Sequence, residues 1–312
     1  MIEVQNLTKR YGDTVAVDNI SFDIKKGEIV GLLGPNGAGK TTTMRILTCY
    51  LPADSGKATV AGKDVSEQSL EVKRCMGYLP ENNPLYADMG VVDYLRFIAC
   101  IRHIPRRQIN SRIKEMIEVC GLRTVVHKDI GELSKGFCQR VGLAQAMIHN
   151  PDILILDEPT VGLDPNQIVE IRKLIKRIGE EKTVILSSHI LPEVAATCQR
   201  IIIMNKGSIA DSGTPEEMSS RTSSDSIITI VIRGPVEEIK EKLQSMKKIK
   251  NFELKEIRED GKSCFKVIST GGNDIGEDLF HMTADNGWAL SELHQEKVSL
   301  ENIFQQLTVT EN

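Results

Sequence analysis

One stretch of this 312-residue chain constrains its fold more than any other. Residues 28–33, EIVGLL, form a short and nearly all-apolar run, the composition of a strand buried on both faces. Gly34-Pro35-Asn36-Gly37-Ala38-Gly39-Lys40-Thr41-Thr42 follows at once and fits G-x-x-x-x-G-K-[ST], and a helix-like stretch comes next. A strand, a glycine-rich loop and a helix start in succession make an anion cradle. Glycines let backbone N–H groups turn inward around phosphate oxygens with no Cβ in the way. The positive end of the helix dipole points at the same anions. Lys40 supplies a point charge for β- and γ-phosphates, and Thr41 a hydroxyl oxygen for a hard cation such as Mg2+.

The surrounding pattern agrees with that core. Short apolar runs at 153–156 (ILIL), 183–186 (TVIL) and 200–204 (RIIIM) alternate with helical stretches at 136–148, 166–180 and 190–198. Such alternation predicts an α/β domain with a largely parallel sheet. Residues 1–26 read as two strands around a Gly12-Asp13 turn. Residues 88–101 and 109–120 carry apolar positions spaced by three and four, as amphipathic helices do. The segment 211–226, DSGTPEEMSSRTSSDS, reads as a loop or linker. Beyond it come a strand at 227–233, a helix at 236–246, a hairpin turning at Asp260-Gly261, a helix at 274–286 and a strand at 288–294. The order β-α-β-β-α-β predicts a small ferredoxin-like α+β sandwich. A last helix is expected near 299–307, entered at Ser299. The expected domains are 1–220 and 221–312.

Composition removes several classes. Lys plus Arg number 39 against 43 Asp plus Glu, a net charge of −4, which disfavours nucleic acid as a partner. Aromatic residues make up only 4%, too few for a base-stacking platform. No apolar run approaches the roughly 18 residues of a membrane-spanning helix, and the amino-terminal segment lacks an apolar signal core. Seven cysteines with no C-x-x-C spacing point to reduced thiols, not to a disulfide framework or a zinc ribbon. The expectation is a cytoplasmic chain that does not span a bilayer by itself.

Two further segments carry chemistry. The apolar run ILIL ends in Asp157-Glu158. Carboxylates at the carboxyl end of a central strand lie beside the phosphate loop of an open α/β sheet. Asp157 is placed to hold Mg2+, directly or through water, and Glu158 to polarise a water for attack on a γ-phosphate. The second segment, Leu133-Ser134-Lys135-Gly136-Phe137-Cys138-Gln139-Arg140, precedes a long helical run and sets Ser134 and the backbone near Gly136 at a helix N-terminus. A plain helix cap by Ser134 is the simpler reading of the same residues.

Taken together, the three segments resemble the ATP-binding cassette (ABC) ATPases, whose signature usually reads LSGGQ, and the similarity runs over about the first 215 residues. The resemblance implies a P-loop NTPase domain with an antiparallel β subdomain and a helical subdomain. It also implies a head-to-tail homodimer holding two ATP molecules, each between the P-loop of one copy and the signature of the other, where Ser134 and Gly136 would contact phosphate. Lys135 and Phe137 depart from the usual signature, as in exporter-type members. Tyr11 matches the aromatic that stacks on adenine, and otherwise reads as an ordinary strand residue. His189, after TVILSS, matches the switch histidine that links the γ-phosphate to Glu158. Asp164, in Gly162-Leu163-Asp164, matches the loop that joins the two sites, and equally suits helix entry before Pro165. Glu81, in Gly77-Tyr78-Leu79-Pro80-Glu81, stands where the family more often has a glutamine that bridges Mg2+, the attacking water and the membrane partner. A carboxylate can ligate Mg2+ but offers no amide hydrogen.

The resulting expectation is an ATPase subunit with ATP and Mg2+ as cofactors, Lys40, Glu158 and His189 in catalysis, and Thr41, Glu81 and Asp157 at the metal. It would energise export through a separate permease from the inner face of the membrane. GYLPEN, LSKGFCQR and VSLENIFQQLT resemble the multidrug/ABC-2 exporter class, and GYLPENNPLY the gliding-motility-associated ABC ATPases. A soluble ABC protein acting on a ribosome or nucleic acid, and a P-loop kinase or GTPase, are the alternatives. The carboxyl-terminal unit reads as a dimer-stabilising accessory or a regulatory ligand-binding domain.

Overall fold

Every residue of Ile29–Leu33 is buried, as a strand covered on both faces requires. The computed structural model describes residues 1–221, 227–258, 261–269, 275–296 and 304. The chain divides into two compact units, Met1–Thr214 and Pro215–Asn312, slightly ahead of the expected division.

The first unit begins with β1 (Ile2–Tyr11), β2 (Thr14–Ile24), β3 (Ile29–Leu33) and α1 (Lys40–Leu47). Next come β4 (Ser55–Val60), β5 (Lys63–Asp64), α2 (Ser69–Cys75) and β6 (Met76–Leu79). Three helices follow, α3 (Val91–Ile101), α4 (Arg106–Val119) and α5 (Lys135–Met147), which pack on one another. The unit continues with β7 (Ile153–Leu156), α6 (Pro165–Gly179), β8 (Thr183–Ser188), α7 (Leu191–Thr197), β9 (Arg200–Asn205) and β10 (Ser208–Gly213).

Two sheets organise these elements. One has the order β2-β1-β4-β5 with antiparallel neighbours. The other has the order β10-β9-β3-β8-β7-β6, parallel except for the β10 edge. Ile2, Val4 and Leu7 of β1, Met44 and Leu47 of α1, and Val30, Ile155, Ile185 and Ile202 of the parallel sheet share one apolar cluster. Their side chains hold the antiparallel sheet, α1 and the parallel strands in fixed relation. The three-helix group forms the helical subdomain, so the expected ABC-type α/β architecture is present.

The second unit contains α8 (Pro215–Arg221), β11 (Ile227–Arg233), α9 (Val236–Ser245), β12 (Ile249–Ile257), β13 (Lys262–Ser269), α10 (Gly276–Asp285) and β14 (Ala289–Glu296). Its sheet runs β12-β13-β11-β14, antiparallel throughout, which is the ferredoxin-like order. Ile228, Ile230 and Ile232 alternate along β11 into a core with Ile239 and Leu243 of α9 and Leu279 of α10.

One expectation fails. The segment 211–226 is not a linker over its described length, because Asp211–Gly213 pairs with β9 and Pro215–Arg221 is helical. Pro215 pre-sets φ for a first helical position, and Glu216 and Glu217 complement the dipole, so the Ser/Gly/Pro content there is turn and cap chemistry. Residues 222–226, Asp260 of the hairpin turn, and the helix expected at 299–307 apart from Phe304 lie outside the described residues.

Candidate functional site

Four adjacent strands, β3, β8, β7 and β6, run parallel, so their carboxyl ends share one edge. Out of those ends come, in the same order, the glycine loop, His189, Asp157-Glu158 and Glu81. Ligands of open α/β sheets sit at this edge. A cavity of about 500 Å³ opens there, lined by Asn36, Gly37, Ala38, Gly39, Lys40, Thr41 and Thr42, by Glu81, Glu158 and His189, and by Thr14, Val15, Ala16 and Val161.

The loop is shaped by what surrounds it. Gly39 has φ +101°, and a Cβ there would stand 2.5 Å from the Ala16 carbonyl oxygen. A Cβ on Gly34 would stand 2.3 Å from the Met204 carbonyl oxygen. No side chain caps α1 and no acid occupies its first turn, which leaves the backbone N–H groups of Lys40, Thr41 and Thr42 for an anion. Lys40 is buried; its Nζ donates to the carbonyls of Gly34 (2.7 Å) and Pro35 (3.2 Å) and lies 3.6 Å from Glu158 Oε1.

The two carboxylates are held by β8. Ser187 Oγ donates to Asp157 Oδ1 at 2.6 Å and accepts from the Glu158 backbone N–H at 2.8 Å. Thr41 Oγ1 also donates to Asp157 Oδ1, at 3.2 Å. Asp157 Oδ2 is buried and has no partner among the described residues. That bare oxygen beside the Thr41 hydroxyl is an oxygen-only donor set, which fits a hard divalent cation and suits Mg2+. Glu158 has φ +48°, a left-handed conformation that costs energy for a residue with a Cβ. It points Oε2 at His189 Nδ1, 3.0 Å away. An ionised carboxylate only accepts, so Nδ1 carries the proton.

Other expected residues stand outside this cavity. Tyr11 ends β1 opposite Thr14, half-exposed, and is not among the lining residues, although Thr14–Ala16 are. Ser134 caps α5, accepting from Phe137 N–H at 3.4 Å, and a Cβ on Gly136 would meet the Gln167 side chain at 2.8 Å. Asp164 caps α6, accepting from Gln167 N–H at 2.9 Å with Pro165 behind it. Glu81 and Val161 link the regions, because both also border a second hollow of about 470 Å³ beside Lys135, Gly162 and Leu163. Ser187 and Val161 were not expected at the site. A serine at a strand end is unremarkable until the strand order places it against Asp157.

Comparison with known proteins fits this geometry. Residues 17–161 match the family model described as "ABC transporter". The linearmycin resistance ATP-binding protein LnrL of Bacillus subtilis is 34% identical over 258 residues, 82% of this chain and 83% of LnrL. The chain belongs to the ABC transporter ATP-binding proteins. The probable multidrug ABC transporter ATP-binding protein YbhF of Escherichia coli is 39% identical over 226 residues, which are 72% of this chain but only 39% of YbhF. Among solved structures, CbiO1 of Clostridium perfringens, part of the ABC transporter complex CbiONQ, is 30% identical with a TM-score of 0.65, covering 70% of this chain and 90% of CbiO1. The bacterial ABC transporter cassette MJ0796, solved as a dimer, is 25% identical with a TM-score of 0.63, covering 69% of this chain and 98% of that one. As a member of this family the chain is an ATP-binding ATPase that uses Mg2+.

Proposed function

We propose that this ABC ATPase works as a homodimer on the cytoplasmic face of a membrane and energises export through a separate permease. The pairing of Glu158 with His189 at 3.0 Å, over a cradle that holds Lys40, carries the reading. In phosphoryl transfer the protein positions groups and stabilises charge. Lys40 and the loop amides face the β- and γ-phosphates. Thr41 and Asp157, with Glu81 in the same cavity, would hold Mg2+, which would supply charge neutralisation there. Glu158 orients the attacking water and accepts its proton, and His189 keeps that carboxylate in place. Tyr11 stacks on the adenine. Ser134 and Gly136 serve the ATP of a second copy, with Asp164 between the two sites. LnrL, matched over most of its length, and YbhF support the exporter class. No helix of the described residues is long and apolar enough to cross a membrane.

Glu158→Gln tests the reading, because an amide cannot take the proton. The expected outcome is loss of at least about a hundredfold in ATP turnover with ATP still bound in a dimer, read by phosphate release and by sizing with ATP. Turnover at the wild-type rate would remove Glu158 from this role.

A further inference from the structure

Between the nucleotide cavity and the start of α5 lies a contact that none of the motifs explains. Asn83 follows Glu81 by two residues in the loop after β6. Its Nδ2 donates to the backbone carbonyl of Cys138 in α5, at 3.4 Å. In a helix that carbonyl already accepts from the residue four positions on, here Gly142. A second donor can reach it because Gly142 has no side chain. A Cβ at Gly142 would stand 1.9 Å from Asn83 Nδ2 and 2.6 Å from Leu79 Cδ1. The carboxamide has one workable orientation, since the reverse would set Oδ1 against the Cys138 carbonyl. Oδ1 itself is buried without a partner among the described residues. One position along α5, Gln139 Nε2 donates to the Pro159 carbonyl at 3.0 Å, and Pro159 follows Glu158 directly. The helix that begins at Ser134 is therefore hydrogen-bonded to both loops that carry carboxylates into the cavity.

We propose that Asn83, seated in the notch at Gly142, is a positioning residue for ATP hydrolysis. It sets Glu81 relative to Glu158 by clasping the Glu81 loop to α5, while Gln139 fixes the same helix to the Glu158 loop. The proposal rests on the ATPase reading above. A rigid helix bonded at both points moves the two loops together, so an α5 held by a second copy at Ser134 brings both carboxylates into register. Asn83 is not among the residues that line the nucleotide cavity, so its loss acts on turnover and not on nucleotide binding.

The test uses the full chain, with kcat and KM for Mg-ATP and the melting temperature measured together. Asn83→Ala lowers kcat about tenfold with KM within about twofold. Gly142→Ala lowers kcat likewise and also lowers the melting temperature, because its methyl strikes the carboxamide. In the double variant Asn83→Ala/Gly142→Ala the new methyl enters the vacated space and meets only Leu79 Cδ1, so the melting temperature recovers in part while kcat stays low. If Asn83→Ala does not fold, Asn83→Asp, with the same shape and no donor, carries the test with the same expected loss. Wild-type kcat in Asn83→Ala, or kcat restored in the double variant, overturns the clasp and leaves only packing. Glu158→Gln run beside them separates the two readings: if it is inactive while Asn83→Ala is normal, only the clasp falls.

Discussion

Ser187 carries no charge, yet two carboxylates take their positions from it. Its single hydroxyl donates to Asp157 and accepts from the Glu158 amide, and the side chain is fully buried. Glu158 relies on that anchor because its backbone takes a left-handed conformation that is strained for a residue with a Cβ. Ser187→Ala leaves the Glu158 N–H and one Asp157 oxygen without this partner, at a cost of about 1–3 kcal/mol in stability. Turnover is expected to fall further, by about tenfold to a hundredfold, with a raised Mg2+ requirement, as a misplaced carboxylate predicts. Steady-state rates across an Mg2+ titration check this, and an unchanged metal dependence would confine Ser187 to a structural role. Lys40, Thr41, Asp157 and Glu158 are readable in the chain because each lies inside a local pattern. Ser187 is not, because its partners lie 29 and 30 residues away and only the β7–β8 pairing joins them.

At the scale of elements, strands flanked by turn residues stood out and those without such borders did not. β3, β7, β8 and β9 are apolar runs with clear ends. β6 has four residues and follows α2 with no break, so neither period has room to show in the sequence, although the strand positions Glu81. β4, SGKATV, is polar at its start and carries an equally weak signal. Just after α5, His149 Nε2 meets the Met76 carbonyl of β6 at 3.0 Å and ties the two elements. Burial first, and then the nearby Arg102 charge, pull its imidazole from 6.5 down to about 4. Between those values the unfolded chain binds a proton that the folded one refuses. Stability from this group is therefore complete above pH 6.5 and is lost as pH falls toward 4. His149→Gln keeps an amide donor for Met76 and should remove about one proton from the acid slope of unfolding, measured by denaturant titration across that range. An unchanged slope would mean that the ring is already charged in the fold.

For the whole molecule, the decisive point is how the expected phosphate contacts are divided. Lys40, Glu158 and His189 border one cavity, whereas Ser134, Gly136 and Asp164 do not line it and instead cap or pack helices of the same chain. Each cap geometry satisfies the local backbone, so within a single copy the simpler helix-cap readings of Ser134 and Asp164 describe what these residues do. A second role for Ser134 requires a second copy, which a two-fold head-to-tail arrangement supplies by setting the signature of one chain over the cradle of the other. That arrangement can be tested by mixing. Lys40→Ala disables the cradle of its own chain, and Ser134→Arg disables only the site of its neighbour. Either variant alone should hydrolyse almost no ATP. Combined in equal amounts, half of the dimers become heterodimers, and each of these has one site built from an intact cradle and an intact signature. Activity should therefore return to about a quarter of the wild-type rate if the two sites fire independently. The mixture is assayed for phosphate release after exchange at low concentration. A mixture that stays at the sum of the separate variants would mean that this chain does not complete its site with a second copy of itself.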